Sequence, residues 1–132
     1  MLTQSLPRRK STPATQDGFA NHILAGRIVP GMNFNQKVWA LTARIPAGKV
    51  TTYRQIAEAM GSKGYRAVGN ALNRNPYAPA VPCHRVVGST GGLTGFAGGL
   101  DKKRRLLVLE GVRLQKGRAD VSETFEFMPP TA

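Results

Sequence analysis

The chain has 132 residues, with 19 Lys and Arg against 7 Asp and Glu, for a formal net charge of +12. That length allows one domain with a modest core, and that charge favours a polyanion partner, of which nucleic acid is the commonest. No apolar run is long enough to span a bilayer, and a single cysteine excludes an internal disulfide and a cysteine-rich zinc site.

Residues 1–31 are rich in Pro, Ser, Thr and Gln and are expected to form a flexible leader. Within them the run from Phe19 to Leu24 suits a helical turn, and His22 has no partner in sequence. The basic stretch Pro7-Arg8-Arg9-Lys10 is not followed by an apolar run, so no secretory signal is expected. One unpaired thiol fits a reducing compartment, and a cytoplasmic (nucleoid) or nuclear location is expected.

The domain is expected over 32–115, with a tail over 116–132. Phe34, Val38, Leu41 and Ile45 recur at helical spacing, with Asn33 as N-cap and Pro46-Ala47-Gly48 as the stop. Trp39 lies in that amphipathic helix and is assigned to the core. Thr51 or Thr52 can cap a second helix from Tyr53 to Met60, whose apolar face is Ile56, Ala57 and Met60. After the turn Gly61-Ser62-Lys63-Gly64, a third helix runs from Tyr65 to Arg74 and ends at Asn75-Pro76. Two short helices joined by a glycine-containing turn form a helix-turn-helix pattern.

In the third helix Val68 and Leu72 are expected inside. The outward face then carries Arg66, Ala67, Asn70 and Arg74, flanked by Gly69 and Ala71. A helix of small residues can approach either another helix or a nucleic-acid groove closely. The surrounding positive charge favours DNA.

Pro82-Cys83-His84-Arg85 follows. The lone thiol is either a core filler or reactive. Its electropositive neighbours favour reactivity, because the thiolate is the nucleophilic form. Val86-Val87 reads as a short buried strand. Gly95-Phe96-Ala97-Gly98-Gly99 is a glycine-rich loop that lets backbone approach a ligand, but it lacks the Lys-Ser/Thr of a phosphate loop. The final helix runs from Leu100 to Glu110, with Leu100, Leu106, Leu107 and Leu109 as its contacts and Lys102, Lys103, Arg104 and Arg105 as a solvated basic cluster. Gly111 stops it, and Arg113-Leu114 suits a short strand.

Taken together, these blocks resemble the C-terminal domain of O6-alkylguanine-DNA alkyltransferases. The resemblance covers roughly residues 33–115. It rests on Gly48-Lys49-Val50-Thr51-Thr52-Tyr53, Arg66-Ala67-Val68-Gly69-Asn70-Ala71, Asn75-Pro76, Pro82-Cys83-His84-Arg85-Val86-Val87, Gly95-Phe96-Ala97-Gly98-Gly99 and Leu107-Val108-Leu109-Glu110-Gly111. It implies a mostly α domain with short strands, of winged helix-turn-helix type, and no metal or cofactor. Cys83 resembles the alkyl acceptor. His84 and Glu110 resemble the pair that draws off the thiol proton through a water, with Glu110 orienting the imidazole and favouring its protonated form. Tyr53 resembles the tyrosine that helps neutralise the leaving guanine. Arg66 resembles the side chain that fills the gap left by a flipped nucleotide, with Thr52, Ala67, Asn70 and Arg74 also facing DNA. Asn75 resembles the hinge before the active-site loop, and Arg85 a structural anchor. The Val86 carbonyl and the Ala97 N–H would read guanine edges, with Phe96 and Gly98 completing the pocket.

The sequence departs from the family in three ways. Residues 1–32 are too short for the usual N-terminal domain, Phe96 stands where many members have tyrosine, and Ala97 replaces a common serine. The expected activity is irreversible transfer of the alkyl group from O6-alkylguanine in duplex DNA to Cys83, once per molecule, by a monomer. The alternative is a lesion-binding module like the alkyltransferase-like proteins, which typically carry tryptophan at the cysteine position and flag lesions for a repair partner. A plain helix-turn-helix regulator would leave the Cys83 block unexplained.

Overall fold

Asn33 starts the central helix by a reciprocal cap. Its Oδ1 accepts from the Gln36 N–H at 2.8 Å, and Gln36 Oε1 accepts from the Asn33 N–H at 2.9 Å. In the computed structural model, which describes residues 14–93 and 99–127, this helix is α2, Phe34–Ala43. It follows α1, Ala14–Leu24. Strand β1, Thr51–Thr52, leads directly into α3, Tyr53–Ala59, and then α4, Tyr65–Asn73. A 3-10 turn at Cys83–Arg85 runs into β2, Val86–Val87, and α5 spans Leu100–Leu109. The hairpin β3–β4, Leu114–Gln115 and Arg118–Ala119, comes last. The expected mostly α domain with short strands is the observed one.

The strands are two residues long, so they serve as clamps rather than as a layer. β1 and β2 pair in parallel, Thr51 with Val86 and Thr52 with Val87. This joins the start of α3 to the end of the cysteine turn. The main core gathers Val38, Trp39 and Leu41 of α2, Ile56 of α3, and Val68 and Leu72 of α4. A second cluster holds Val50, Leu107, Val112 and Ala119. Val86 belongs to the first and Val87 to the second, so β2 lies on the seam between them. Burying each such valine contributes roughly 1.5 kcal/mol or more. Trp39 is in the core as expected, and its indole N–H donates to the Ala71 carbonyl at 2.7 Å.

Three expectations need correction. The boundary drawn at residue 32 falls inside the packed unit, because Ile23 and Met32 are buried in the main core and α1 packs against α2. Nor is the segment after residue 115 a loose tail throughout. Phe125 N–H donates to the Val50 carbonyl at 2.8 Å, Thr51 Oγ1 donates to the Phe125 carbonyl at 3.1 Å, and Phe125 and Phe127 pack on the core. Finally, α5 is rotated from the expected phase. Lys103 and Leu107 point inward, while Leu100 and Leu109 are exposed. No helix among the described residues is long and apolar enough to cross a membrane.

Candidate active site

The thiol sits on a turn held from both sides. Upstream, Asn75 Nδ2 donates to the Val81 carbonyl and Asn75 Oδ1 accepts from the Tyr77 N–H, both at 2.8 Å. One side chain thus fixes the segment between α4 and the cysteine. Val81 and Pro82 are buried, and the Cys83 N–H donates to the Val81 carbonyl at 2.9 Å. Cys83 itself is half-buried and unpaired.

Downstream, the next two side chains converge on Glu110, which caps the C-terminus of α5. His84 is buried, and its Nε2 lies 2.9 Å from Glu110 Oε2. Arg85 spans both carboxylate oxygens, with Nε donating to Oε1 at 2.8 Å and Nη2 to Oε2 at 2.6 Å. Its Nη1 donates to the Ile45 carbonyl at 2.6 Å, tying the turn to the end of α2. Such a forked guanidinium–carboxylate pair fixes orientation as well as charge.

Burial alone would raise the Glu110 pKa. The hydrogen bonds from Arg85 and His84, with the charges of both, outweigh it and hold the carboxyl below its ordinary 4.5. His84 is displaced downward from 6.5, chiefly by burial, against the opposing pull of Glu110 and with help from the Arg85 and Lys103 charges. The expectation that Glu110 favours an imidazolium is therefore corrected. At neutral pH the imidazole is neutral and the carboxylate ionised. An ionised carboxylate only accepts hydrogen bonds. Nε2 must then carry the proton, which leaves Nδ1 as the basic nitrogen of the ring.

Tyr53 opens α3, and Gly69 of α4 leaves room for its ring: a Cβ there would touch Cε1 at 4.0 Å. Arg66, Ala67, Asn70 and Arg74 are all exposed, with Arg74 forming the C-cap of α4. Arg66 and Asn70 line an open groove of about 590 Å³ with Tyr53, Lys63, Tyr65 and Asn73. Cys83 is not among its lining residues. Thr52 differs from the DNA-facing position expected for it. It is buried, and its hydroxyl caps α3 by accepting from the Gln55 N–H at 3.1 Å. Phe96, Ala97 and Gly98 lie outside the described residues.

Lys103 is the site residue that sequence reading missed. It is 1% exposed. Its Nζ donates to the Val86 carbonyl at 2.7 Å and approaches the Tyr53 hydroxyl at 3.5 Å. Burial lowers its pKa from 10.5 to about 8, against the attraction of Cys83. The available signal was its spacing of one helical turn from Leu107, which places both on one stripe of α5. Among the described residues no cluster of three or more His, Cys, Asp or Glu could hold a metal.

Residues 33–112 match the family model for the DNA-binding domain of 6-O-methylguanine DNA methyltransferase. The methylated-DNA–protein-cysteine methyltransferase of Methanosarcina barkeri is 53% identical over 81 residues, covering 61% of this chain and 51% of that protein. The chain thus spans about half the length of the curated relatives it matches. Among solved structures, Mycobacterium tuberculosis OGT in complex with DNA matches with a TM-score of 0.58 and 37% identity, over 82% of this chain and 71% of that one. S. pombe Atl1 in complex with damaged DNA containing O6-carboxymethylguanine matches with a TM-score of 0.61 and 31% identity, over 73% of this chain and 95% of that one.

Proposed function

The chain belongs to the 6-O-methylguanine DNA methyltransferase family through its DNA-binding domain, and on that premise we propose that it moves the alkyl group of O6-alkylguanine in duplex DNA onto its own Cys83. The observation that carries this reading is the Cys83 turn, where a half-buried thiol precedes a neutral imidazole bonded at 2.9 Å to a carboxylate. Attack on an sp3 carbon needs a thiolate, and an imidazole oriented by a carboxylate is a competent base for producing it. His84 Nδ1 takes the thiol proton through a water. The Cys83 sulfur then bonds to the alkyl carbon as the carbon–O6 bond breaks. The electron pair leaves on the guanine, which regains one proton with help from the Tyr53 hydroxyl. The net result is a thioether, guanine and no change in proton count.

The target base must leave the stack, at a cost of a few kcal/mol. Arg66, exposed at the start of α4 and lining the groove beside Tyr53, is the side chain suited to fill the gap. A thioether is not readily displaced, and the sequence holds no second cysteine to resolve it. Each molecule therefore acts once.

The test is intact-mass analysis after incubation with an oligonucleotide duplex containing O6-methylguanine. One methyl equivalent per protein is expected, located at Cys83 and absent from Cys83→Ala. Lesion-selective binding with no methyl gained would replace this reading with that of a lesion-binding module.

A further inference from the structure

A lysine with 1% exposure among apolar neighbours is expensive. Removing an ammonium from water costs several kcal/mol even after the structure relaxes, and a methionine or leucine would fill the same volume without that cost. The Val86 carbonyl does need a donor, but a neutral amide could supply one. Neither packing nor hydrogen-bond satisfaction therefore explains a cation at this position.

Its surroundings do. Lys103 Nζ reaches the Val86 carbonyl at 2.7 Å and the Tyr53 hydroxyl at 3.5 Å, and lies 5.8 Å from the centroid of the Tyr53 ring. Val86 directly follows the cysteine turn, and Tyr53 opens α3. One ammonium on α5 thus links both elements that flank Cys83. The titratable and charged groups around it are Tyr53 on α3 and Cys83 and His84 on the turn, with Arg85 and Glu110 joined to His84. Lys102 and Arg104, its neighbours on α5, are exposed.

We propose that Lys103 is a positioning residue of the alkyl-transfer site, its ammonium orienting the Val86 carbonyl and the Tyr53 hydroxyl towards the base held beside Cys83. This rests on the reading of Cys83 as alkyl acceptor. The chemistry of the base sharpens it. Alkylation at O6 leaves N1 without a proton, so the Watson–Crick and minor-groove edges carry one donor group, the 2-amino group. A carbonyl can read those edges only there. The Val86 oxygen has two lone pairs, one engaged by Lys103 and one left for that amino group. The same ammonium repels an imidazolium at His84 and so keeps that ring in its proton-accepting form. Above about pH 8 the amine gives up its proton, and the orientation weakens.

The experiment is single-turnover methyl transfer by the wild type, Lys103→Met and Lys103→Arg, from duplexes containing O6-methylguanine or O6-methylhypoxanthine, which lacks the 2-amino group. Lys103→Met is expected to lose roughly a hundredfold in rate at neutral pH, the size of effect that misplaced groups produce. It should also react with the two bases at similar rates, where the wild type prefers the first. The wild-type rate should fall, relative to that of Lys103→Arg, as pH passes about 8, because a guanidinium keeps its charge there. Variants that keep both the wild-type base preference and the wild-type pH profile would overturn the proposal. If Lys103→Met fails to fold, the arginine profile decides alone. Failure of the wild type to take up methyl would instead refute the function on which the proposal rests.

Discussion

Lys103 also makes a prediction that needs no substrate. Its pKa falls from 10.5 in the free chain to about 8 in the fold. Well below pH 8 both states hold the proton, and the full cost of burying the charge is present. Between the two values the folded state is neutral while the unfolded state still binds a proton. More protons on the unfolded state mean that stability rises with pH. Lys103→Met removes this titration, so comparing the two proteins cancels every other titrating group. Linkage makes wild-type stability climb relative to the variant by about 2 kcal/mol between about pH 7 and about pH 9.5. In a domain of this size that corresponds to a relative shift of roughly 5–10 °C in Tm. Urea unfolding of both proteins at the two pH values measures it. Parallel curves would mean that the amine stays hydrated, and the burial argument would fail.

Four further outcomes are expected. Glu110→Gln strands the Arg85 guanidinium and loosens His84, so it should cost roughly 2–3 kcal/mol in urea unfolding and slow methyl transfer while leaving DNA affinity nearly unchanged. Arg66→Ala should impair repair of duplex DNA far more than reaction with the free modified base, since Arg66 is assigned to the flipped state; equal losses on both substrates would place it in the chemistry or the fold. DNA affinity should fall with salt at a log–log slope of roughly −0.9 per phosphate neutralised, with little sequence preference, as fluorescence anisotropy would measure. Gly91→Val should destabilise by roughly 2 kcal/mol or more in thermal melts, because a Cβ there would overlap the Ala119 carbonyl and the backbone has φ +90.

Much of this fold is written locally. Asn33 with Gln36 and Thr52 with Gln55 are capping boxes that set the starts of α2 and α3, and the turn between α3 and α4 is punctuated by glycine. The thiol turn was legible because Cys83 and His84 are adjacent and their block is specific. What escaped were the parts decided by packing. Lys103 sits in a run of four cations, and charge alone cannot tell the one pointing inward from its neighbours. α1 hides in a polar segment, with only Phe19 and Ile23 one turn apart to signal it. The protonation of His84 was misjudged because adjacency to a carboxylate says nothing about burial, which here is the larger effect.

The bonds that clasp the thiol turn span long stretches of chain. Arg85 to Ile45 bridges 40 residues, Gln55 to Thr124 bridges 69, and Thr51 to Phe125 bridges 74. The α3–α4 pair, by contrast, is closed by the short loop of residues 60–64. Loop closure must be met before distant contacts reward it. In refolding, the helical pair should consolidate early and the clasp around Cys83 late. Under mild denaturant the order reverses, and the clasp opens through local unfolding before the helices separate. A partly melted molecule would then still present its basic helical face to a polyanion while its cysteine had lost the partners that make it reactive. Retention on DNA therefore reports a folded helical pair, and only methyl uptake reports that the whole chain has closed.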